Sequence, residues 1–485
     1  MATKKDLVEA YSFSRRRLVT AFLSGAPGGR EVEPSRPGRT VVGGLALAVL
    51  LVAGAAIASV LATRTPEDWN KIGMISSRER PAPYVILQES EHPTLIPVIN
   101  LTSAQLILGA DAKATFVDQD VIEAQTPGDP IGIAGAPQSL PETDQFIQSG
   151  WTSCTSDGAG VTTAVSPDKL VRTGTTLGTV VSSGGEYWVL ATSSDEDDDR
   201  RTYRYLLPAS PRPNKFDPSD ELLTGIGLNA RSEAPEVPLP WLDLFPEGGE
   251  LGEGGFDLED AGQPLDDPAY PPEARVGDYI DDDQGVPLML TKDGPSELSP
   301  FAFQVLQHSL LGKRHLPTKE IEMPRPSQSS PGRLFTRSNW PEAPVQRTTG
   351  DPCARLVAEP GTPPRVQLAE DPQGLAQPDP DLEPDQLQVH IDPGHGAFFT
   401  LGDWDDDSGS QDYVMDPRGK TFLLIGNDTL AAVGYDPDDA PVVPDSWLKL
   451  FDKGVELSTS KALCPPEQPG EDEATPENCQ KPPGS

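Results

Sequence analysis

The sequence predicts an α+β protein with a cytoplasmic N-terminal helix, one transmembrane helix, and an elongated extracytoplasmic region of four small β-turn-β-α repeats around a central β-rich domain. Three observations carry this expectation. Residues 40–63 hold no charge, the charge balance changes sign across them, and an 18-residue block recurs without gaps 206 residues downstream. A chain of 485 residues is long enough for about three domains of roughly 150 residues. Its 53 Pro and 45 Gly, about a fifth of all residues, fall short of the roughly 25–30% that marks low complexity, so small loop-rich domains are expected.

The first element is a basic tail, residues 1–39. Leu7, Tyr11, Leu18 and Phe22 recur at helical spacing with Val8 and Val19 beside them, and Gly25 and Pro27 end the pattern. Two readings fit a helix of this kind: a basic helix lying on the inner leaflet, or a docking helix for a cytosolic partner. The pattern alone does not choose between them.

The uncharged stretch 40–63 is bounded by Arg39 and Arg64, and its 24 residues of helix extend roughly 36 Å, enough for a hydrocarbon core of about 30 Å. A cleaved signal peptide is the alternative, because the small residues around Ala56 and Ala62 suit a peptidase. The length of the apolar run and the 39 residues before it favour an uncleaved anchor. Residues 1–39 carry a balance of +4 and residues 64–485 one of -41, so positive-inside bias puts the N-terminus in the cytoplasm and the rest outside, at the cell membrane. The triplet Arg15-Arg16-Arg17 lies too far from the apolar run for a twin-arginine signal and reads as a cytoplasmic anchor. A total charge of -37 repels phosphate backbones, which excludes nucleic acid as a partner of the bulk of the chain.

Beyond the anchor a β-turn-β-α pattern is expected four times. Repeat 1 (64–110) has strands at 84–87 and 95–99 and a helix in LTSAQLILG. Repeat 2 (181–252) has strands at 187–190 and 203–207 around the acidic insert 195–199, and a helix opening at Asp217-Pro218, a capping residue followed by proline. Repeat 3 follows an acidic linker within 253–317, with strands at Tyr279 and 287–290 and a helix opened by Ser299-Pro300. Repeat 4 (399–463) has strands at 413–415 and 422–425 and a helix capped by Asn427. The recurring block, 234–251 against 440–457, makes Trp241/Trp447, Leu242/Leu448, Leu244/Leu450, Phe245/Phe451 and Gly248/Gly454 identical. Repeats this small bury too little surface singly and are expected to pair or stack.

The stretches VIEAQTPGDPIGIAGAP, WTSCTSDGAGVTTAV, CARLVAEPGTPPRVQLAE and LQVHIDPGHGAFF are assigned to the central β domain, its halves being 111–180 and 318–398 with a linker. Residues 245–275 and 318–350 read as linkers, and 464–485 as a disordered tail. All four cysteines, Cys154, Cys353, Cys464 and Cys479, lie on the predicted exterior, where disulfides persist. Three connectivities are open. The expected one joins Cys154 to Cys353 and Cys464 to Cys479, because the second pair sits in a Pro-rich tail and closes locally.

No catalytic, cofactor-binding or metal-binding residue is assigned. HIDPGHGAF (390–398) resembles the first zinc histidine of cell-wall amidases. A second histidine must follow as ligand, and of His92, His308, His315, His390 and His395 none does. Gly419-Lys420-Thr421 ends like a phosphate loop, but Val414 stands where the first glycine belongs, and a hairpin turn fits better. Asp403, Asp405 and Asp407 have calcium-loop spacing, yet Ser408 and Val414 replace the required Gly and Glu. The acidic clusters 281–283 and 403–407 read as solvated faces, with weak calcium binding as the alternative.

The tail TKKDLVEAYSFSRRRLVTAFLSGAP directly before a single anchor, then PTLIPVINLTSAQLILG, GDPIGIAGAPQSLP, WTSC and the PGHGAF segment in this order, resembles the EccB family of actinobacterial type VII (ESX) secretion systems. It departs from that pattern at His395, where Arg is expected, and in acidic inserts near 195–199 and 250–285. The resemblance implies a structural core subunit of the secretion membrane complex, with Leu7, Tyr11, Arg15, Arg16, Arg17, Leu18 and Phe22 forming a docking element. It implies an EccC-type motor ATPase, EccD and EccE as partners, and association between exterior portions of like chains. Cys154 and Cys353 match the family's disulfide positions, whereas Cys464 and Cys479 have no evident counterparts. ATP hydrolysis, proposed for the family, is the enzyme-class alternative, and a membrane-anchored cell-wall-binding module is a third reading by fold analogy.

Overall fold

The structure is a computed structural model that describes residues 3–24, 37–61, 65–193, 200–208, 218–266, 268–282, 284–309, 314–316, 339–466 and 479–484. It divides into two compact units, residues 1–65 and 66–485.

The first unit holds two helices. Helix α1 (Lys4–Ser24) opens where Thr3 donates its backbone N–H and its hydroxyl to Asp6, at 3.0 and 2.7 Å, which satisfies a donor the helix leaves unpaired. These hydrogen bonds hold the Asp6 carboxyl below its usual range. Helix α2 (Pro37–Leu61) starts on proline, whose missing N–H costs nothing at the first helical position, and contains most of the expected anchor. Side chains are described for its residues 41–55, all exposed. Among the described residues no helix is long and apolar enough to cross a membrane.

The second unit is built from four sheet-and-helix modules and a central sheet. In the first module, β1 (Gly73–Ser77), β2 (Tyr84–Ile86), β3 (Ile96–Pro97) and β4 (Ala114–Val117) form a sheet of order β3-β2-β1-β4. Helix α3 (Leu101–Leu108) is capped by Asn100, which accepts from Ser103 N at 2.8 Å and donates to Ile133 O at 3.0 Å. The stretch 121–137, expected in the central sheet, instead opens inside helix α4 (Gln119–Glu123) and then lies along this module, with Pro127 bridged to Leu95 and Ile131 to Val98. Pro127, Pro130 and Pro137 lack the donors a continuous ladder needs.

The central sheet begins with β5 (Thr152–Thr155), β6 (Val161–Val165) and β7 (Arg172–Thr173). The second module follows with β8 (Leu177–Ser183), β9 (Glu186–Thr192) and β10 (Thr202–Leu206), helix α5 (Pro218–Gly225) and the short helix α6 (Leu239–Leu242). The turn Gly184-Gly185, at φ 59° and 85°, is the left-handed two-residue connection that suits strand twist. The expected boundary at 180 cuts through β8, whose pairing with β9 makes it part of this module. The acidic insert 195–199 lies outside the described residues.

The third module has β11 (Tyr279–Asp281), β12 (Pro287–Thr291), β13 (Gly294–Glu297) and helix α7 (Pro300–His308), with Ser299 accepting from Ala302 N at 3.0 Å as its cap. Residues 245–275, expected as a linker, are structural. Phe245, Leu251, Phe256, Tyr270 and Ala274 are buried, and the Phe256 ring meets Trp340 edge-on at 4.9 Å. Of the other expected linker, 318–338 lies outside the described residues. Its remainder buries Trp340 and adds β14 (Gln346–Arg347) to β8.

Strands β15 (Cys353–Val357), β16 (Arg365–Glu370) and β17 (Leu387–Ile391) complete the central sheet in the order β17-β6-β5-β15-β16-β7. The fourth module has β18 (Ala397–Gly402), β19 (Gln411–Met415), β20 (Lys420–Leu424), helix α8 (Asn427–Val433), β21 (Val442–Pro444), helix α9 (Asp445–Leu448), β22 (Asp452–Lys453) and helix α10 (Thr459–Ala462). Two expectations are corrected here. The strand from Ala397 belongs to this sheet and not to the central one, because it pairs with β19 and β21. The cap of α8 is Gly426 at φ 91°, which turns the chain so sharply that Asn427 is already helical. Residues after Cys464, expected as a disordered tail, are bonded back at their described end: Gln480 N donates to Leu463 O at 2.8 Å and Gly484 N to Leu87 O at 3.2 Å.

The three largest apolar cores among the described residues hold these parts. The first and fourth modules share one, from Val85, Leu106 and Ile131 to Phe398, Leu430 and Leu457. The second and third share another, from Val189, Leu223 and Ile226 to Phe301, Val305 and Trp340. The largest lies between the central sheet, the second and fourth modules, and both copies of the recurring block. Each block places its tryptophan there and brings its glycine onto an aromatic ring. A Cβ on Gly248 would lie 2.2 Å from Tyr205 Cε1, and one on Gly454 would lie 2.4 Å from Phe422 Cδ1. Gly248→Ala and Gly454→Ala are each expected to lower stability by about 1–3 kcal/mol, the cost of forcing an extra carbon into a packed core, as measured by chemical denaturation.

Candidate functional site: a disulfide-tied hub and an exposed N-terminal helix

The hub is where the two halves of the chain meet. Cys154 on β5 stands directly opposite Cys353 on β15 in the ladder, and the two are joined across 199 residues of sequence. Both are fully buried. Beside them Trp151 is fully buried, packs edge-on against Phe399 at 5.3 Å and Phe451 at 5.4 Å, and donates Nε1–H to Ile147 O at 2.8 Å. Trp241 donates Nε1–H to Ser153 O at 2.9 Å, so the first copy of the block is bonded into the strand that carries Cys154. Its counterpart Trp447 is equally buried, and its Nε1 has no acceptor among the described residues.

Charged groups around the hub serve the seams between modules. Glu370, 1% exposed, binds Arg172 at 2.7 Å and accepts from the Thr349 hydroxyl at 3.0 Å, which ties the strand ending the central sheet to the segment leaving the third module. Arg201, at the start of β10, bonds Asp405 at 2.9 Å and Trp404 O at 2.6 Å, and its guanidinium lies 5.8 Å from the Trp404 ring. The second module is thereby clamped to the acidic loop of the fourth. Asp351 is pushed above the usual carboxylate range by burial, as is Asp412, against which a Thr400 hydrogen bond works. Tyr435 is raised by burial and donates to Pro141 O at 2.6 Å.

The motifs weighed in the sequence do not converge on a reactive centre. His395 Nδ1 lies 3.2 Å from its neighbour Asp392, and His390 sits apart on β17. Among the described residues no three His, Cys, Asp or Glu side chains are grouped to hold a metal. Gly419 ends the turn between β19 and β20, and Lys420 and Thr421 open β20. Gly419 has φ 79°, and the buried Asp416 carboxylate accepts from the amides of Arg418 and Lys420 at 3.0 Å each, occupying backbone donors that a phosphate would need. A polar cleft of about 330 Å³ lies between Thr179, Asn229, Glu233, Arg347 and Thr348. It was not anticipated from the sequence, since its walls come from segments far apart in the chain.

Helix α1 stands differently. Leu7, Tyr11, Leu18 and Phe22 are 66%, 73%, 66% and 93% exposed. At about 100° per residue they fall within an arc of about 60°, so they share one face. Arg15 and Arg17 are exposed on the two sides of that face, and Arg16 is exposed on the far side of the helix. Phe13, 56% exposed, lies outside that arc and was not singled out by the spacing.

The chain matches the family model described as Type VII secretion system ESX-1, transport TM domain B, over residues 1–196 and 288–468. It is similar to the ESX-3 secretion system ATPase EccB3 of Mycobacterium tuberculosis, at 27% identity over 89% of this chain and 84% of that one. It is also similar to the ESX-5 secretion system ATPase EccB5 of the same organism, at 25% identity over 94% and 92%. Among solved structures it resembles a chain of an intact ESX-5 inner membrane complex, with a TM-score of 0.57, 23% identity and 97% of each chain covered. A chain of an EccB3 dimer from the ESX-3 core complex aligns with a TM-score of 0.55 and 20% identity, over 80% of this chain and 99% of that one. These last two likenesses are of fold.

Two outcomes follow from the hub. The double variant Cys154→Ala/Cys353→Ala is expected to lose about 2–5 kcal/mol of stability in denaturant titration, because its loop is long. For Asp351 the folded-state pKa is raised, so its contribution to stability is present below the ordinary 3.8 and is lost as pH rises through the raised value. Asp351→Asn is therefore expected to raise the melting temperature near pH 7 and to leave it unchanged near pH 3.

Proposed function

The chain belongs to the EccB family of type VII secretion subunits, and from that premise we propose that it is a structural core component of a secretion membrane complex. Helix α2 with the residues that follow it is the single membrane anchor, helix α1 is cytoplasmic, and residues 64–485 are extracytoplasmic. The four modules are two copies of a paired repeat around the central sheet. The exterior body braces the assembly through contacts with like chains, and α1 docks on an EccC-type ATPase, with EccD and EccE as further neighbours.

The observation that carries this reading is the distribution of buried bonding. The disulfide, the fully buried Trp151, Trp241 and Trp447, and the Arg201 and Glu370 ion pairs all join one module or strand to another, which is what a rigid strut requires. The exposed apolar face of α1 supplies the second part, because Leu7, Tyr11, Leu18 and Phe22 find no covering within their own compact unit. ATP hydrolysis is the second reading, favoured by the names its relatives EccB3 and EccB5 carry as secretion system ATPases.

Full-length protein purified in mild detergent is expected to elute in a very large assembly that contains an EccC-type ATPase. A variant lacking residues 1–25, and the double variant Leu7→Glu/Leu18→Glu, are expected to reach the membrane but to lose that ATPase by mass spectrometry. A lone monomer or dimer from all three samples would refute the scaffold reading. ATP turnover by the purified chain free of the motor would establish the second one.

A further inference from the structure

The second disulfide has a place in the fold that the first does not share. Cys464 ends the segment carried by α10, which packs between α3 of the first module and α8 of the fourth and buries Ala462 and Leu463 in their common core. Cys464 O accepts from Gly132 N at 3.0 Å, so this cysteine already touches the loop that lies along the first module. After the bond to Cys479, 15 residues on, the chain runs back: Gln480 N donates to Leu463 O and Gly484 N to Leu87 O, at the end of β2. The last described residues thus bridge the fourth module to the first. Lys481, Pro482 and Gly484 are exposed and Gln480 and Pro483 half-buried, so the segment 480–484 buries little surface to offset the entropy of its ordering, and a disulfide that fixes its start lowers that cost.

The two disulfides also differ in access. Cys154 and Cys353 are fully buried, whereas Cys464 and Cys479 are both partly exposed. Thiol–disulfide exchange needs a thiolate to reach a sulfur, so the same reductant meets very different barriers at the two bonds. The family match ends at residue 468, which leaves Cys479 and the bridging segment outside it.

We propose that Cys464–Cys479 is a redox-operated clasp across the seam between the first and fourth modules, closed when oxidised and opened by a dithiol reductant while the central disulfide stays intact. In the opening step a thiolate of the dithiol attacks one of the two sulfurs and expels the other as a thiolate, which takes up a proton. The second thiol of the reagent then attacks the mixed disulfide. The reagent leaves as its cyclic disulfide, and both cysteines are thiols.

The test uses the full-length protein in detergent, exposed to graded dithiothreitol without denaturant and then alkylated. Peptide mass mapping is expected to find Cys464 and Cys479 alkylated at least tenfold faster than Cys154 and Cys353. Hydrogen exchange is expected to show the amides of 480–484 losing protection in step with that alkylation. Cys464→Ser/Cys479→Ser should show the unprotected tail without reductant and no further response to mild dithiothreitol. Equal alkylation of all four cysteines would overturn the proposal, and so would a tail that stays protected in the double variant. A variant that failed to fold would show itself by alkylation of Cys154 and Cys353 under mild reductant. Reduced wild-type protein, with its central bond intact, then decides through the tail amides alone.

Discussion

The pairing of β5 with β15 is the contact on which the rest of the second unit depends. It sets Cys154 opposite Cys353 and places strands from the two halves of the chain side by side in the central sheet. Neither half completes that sheet alone: β6 needs β17 on one side, and β7 joins only through β16. Everything between residues 154 and 353, including the whole second and third modules, is therefore a loop closed at its base by this pair. Without closure, the ends of a segment that long would have to find each other against a large entropy of chain separation. The disulfide removes much of that entropy from the unfolded state, and the buried tryptophans, packed in the largest core and not in the small cluster that holds the cysteines, make the closed arrangement specific.

The nesting explains which modules share a core. The first and fourth flank the closed loop from outside and meet each other, and the second and third lie within it and do the same. Each module offers a three- to five-stranded sheet with one to three short helices, too little apolar surface to offset the entropy of ordering its own chain. Pairing doubles the buried face, and the central sheet then takes the remaining sides of the second and fourth modules. The recurring block is the device that makes this third contact in both places. Its proline-capped turn of helix presents a tryptophan to the central core, and its glycine permits the next strand to cross an aromatic ring.

Much of this was legible in the sequence because it is local. Hairpins and helices of all four modules follow from alternation, caps and turn residues, such as Ser299 before Pro300, and the block was visible because a tryptophan-rich pattern survives direct alignment. What was not legible depends on partners distant in the chain. The strand from Ala397 has the same alternation whether it pairs with β17 or with β19, and only the pairing decides its sheet. Residues 245–275 look like a linker because Gly, Pro and acidic residues dominate them, yet Phe256 and Tyr270 find pockets supplied by other segments. Arg201 reads as one more surface cation until its partners, Asp405 and the Trp404 carbonyl, arrive from two hundred residues away.

The same distinction bears on function. Among the described residues the bonded polar groups are spread over contacts between segments distant in the chain. Glu370 pairs with Arg172 inside the central sheet and takes the Thr349 hydroxyl at its seam, Arg201 holds the acidic loop at another, Tyr435 closes onto Pro141 at a third, and Asp416 shapes a hairpin turn. Leaving any one of these unpaired would cost more than its bond contributes, so each makes sliding at its seam costly while adding little to net stability. That is the economy of a body selected to hold its modules in one fixed relation. Large apolar side chains are left exposed instead along both helices of the first unit, among them Leu7, Tyr11, Leu18 and Phe22 of α1 and Val41, Leu45 and Leu50 of α2, where a body of that kind needs a membrane or a partner to cover them.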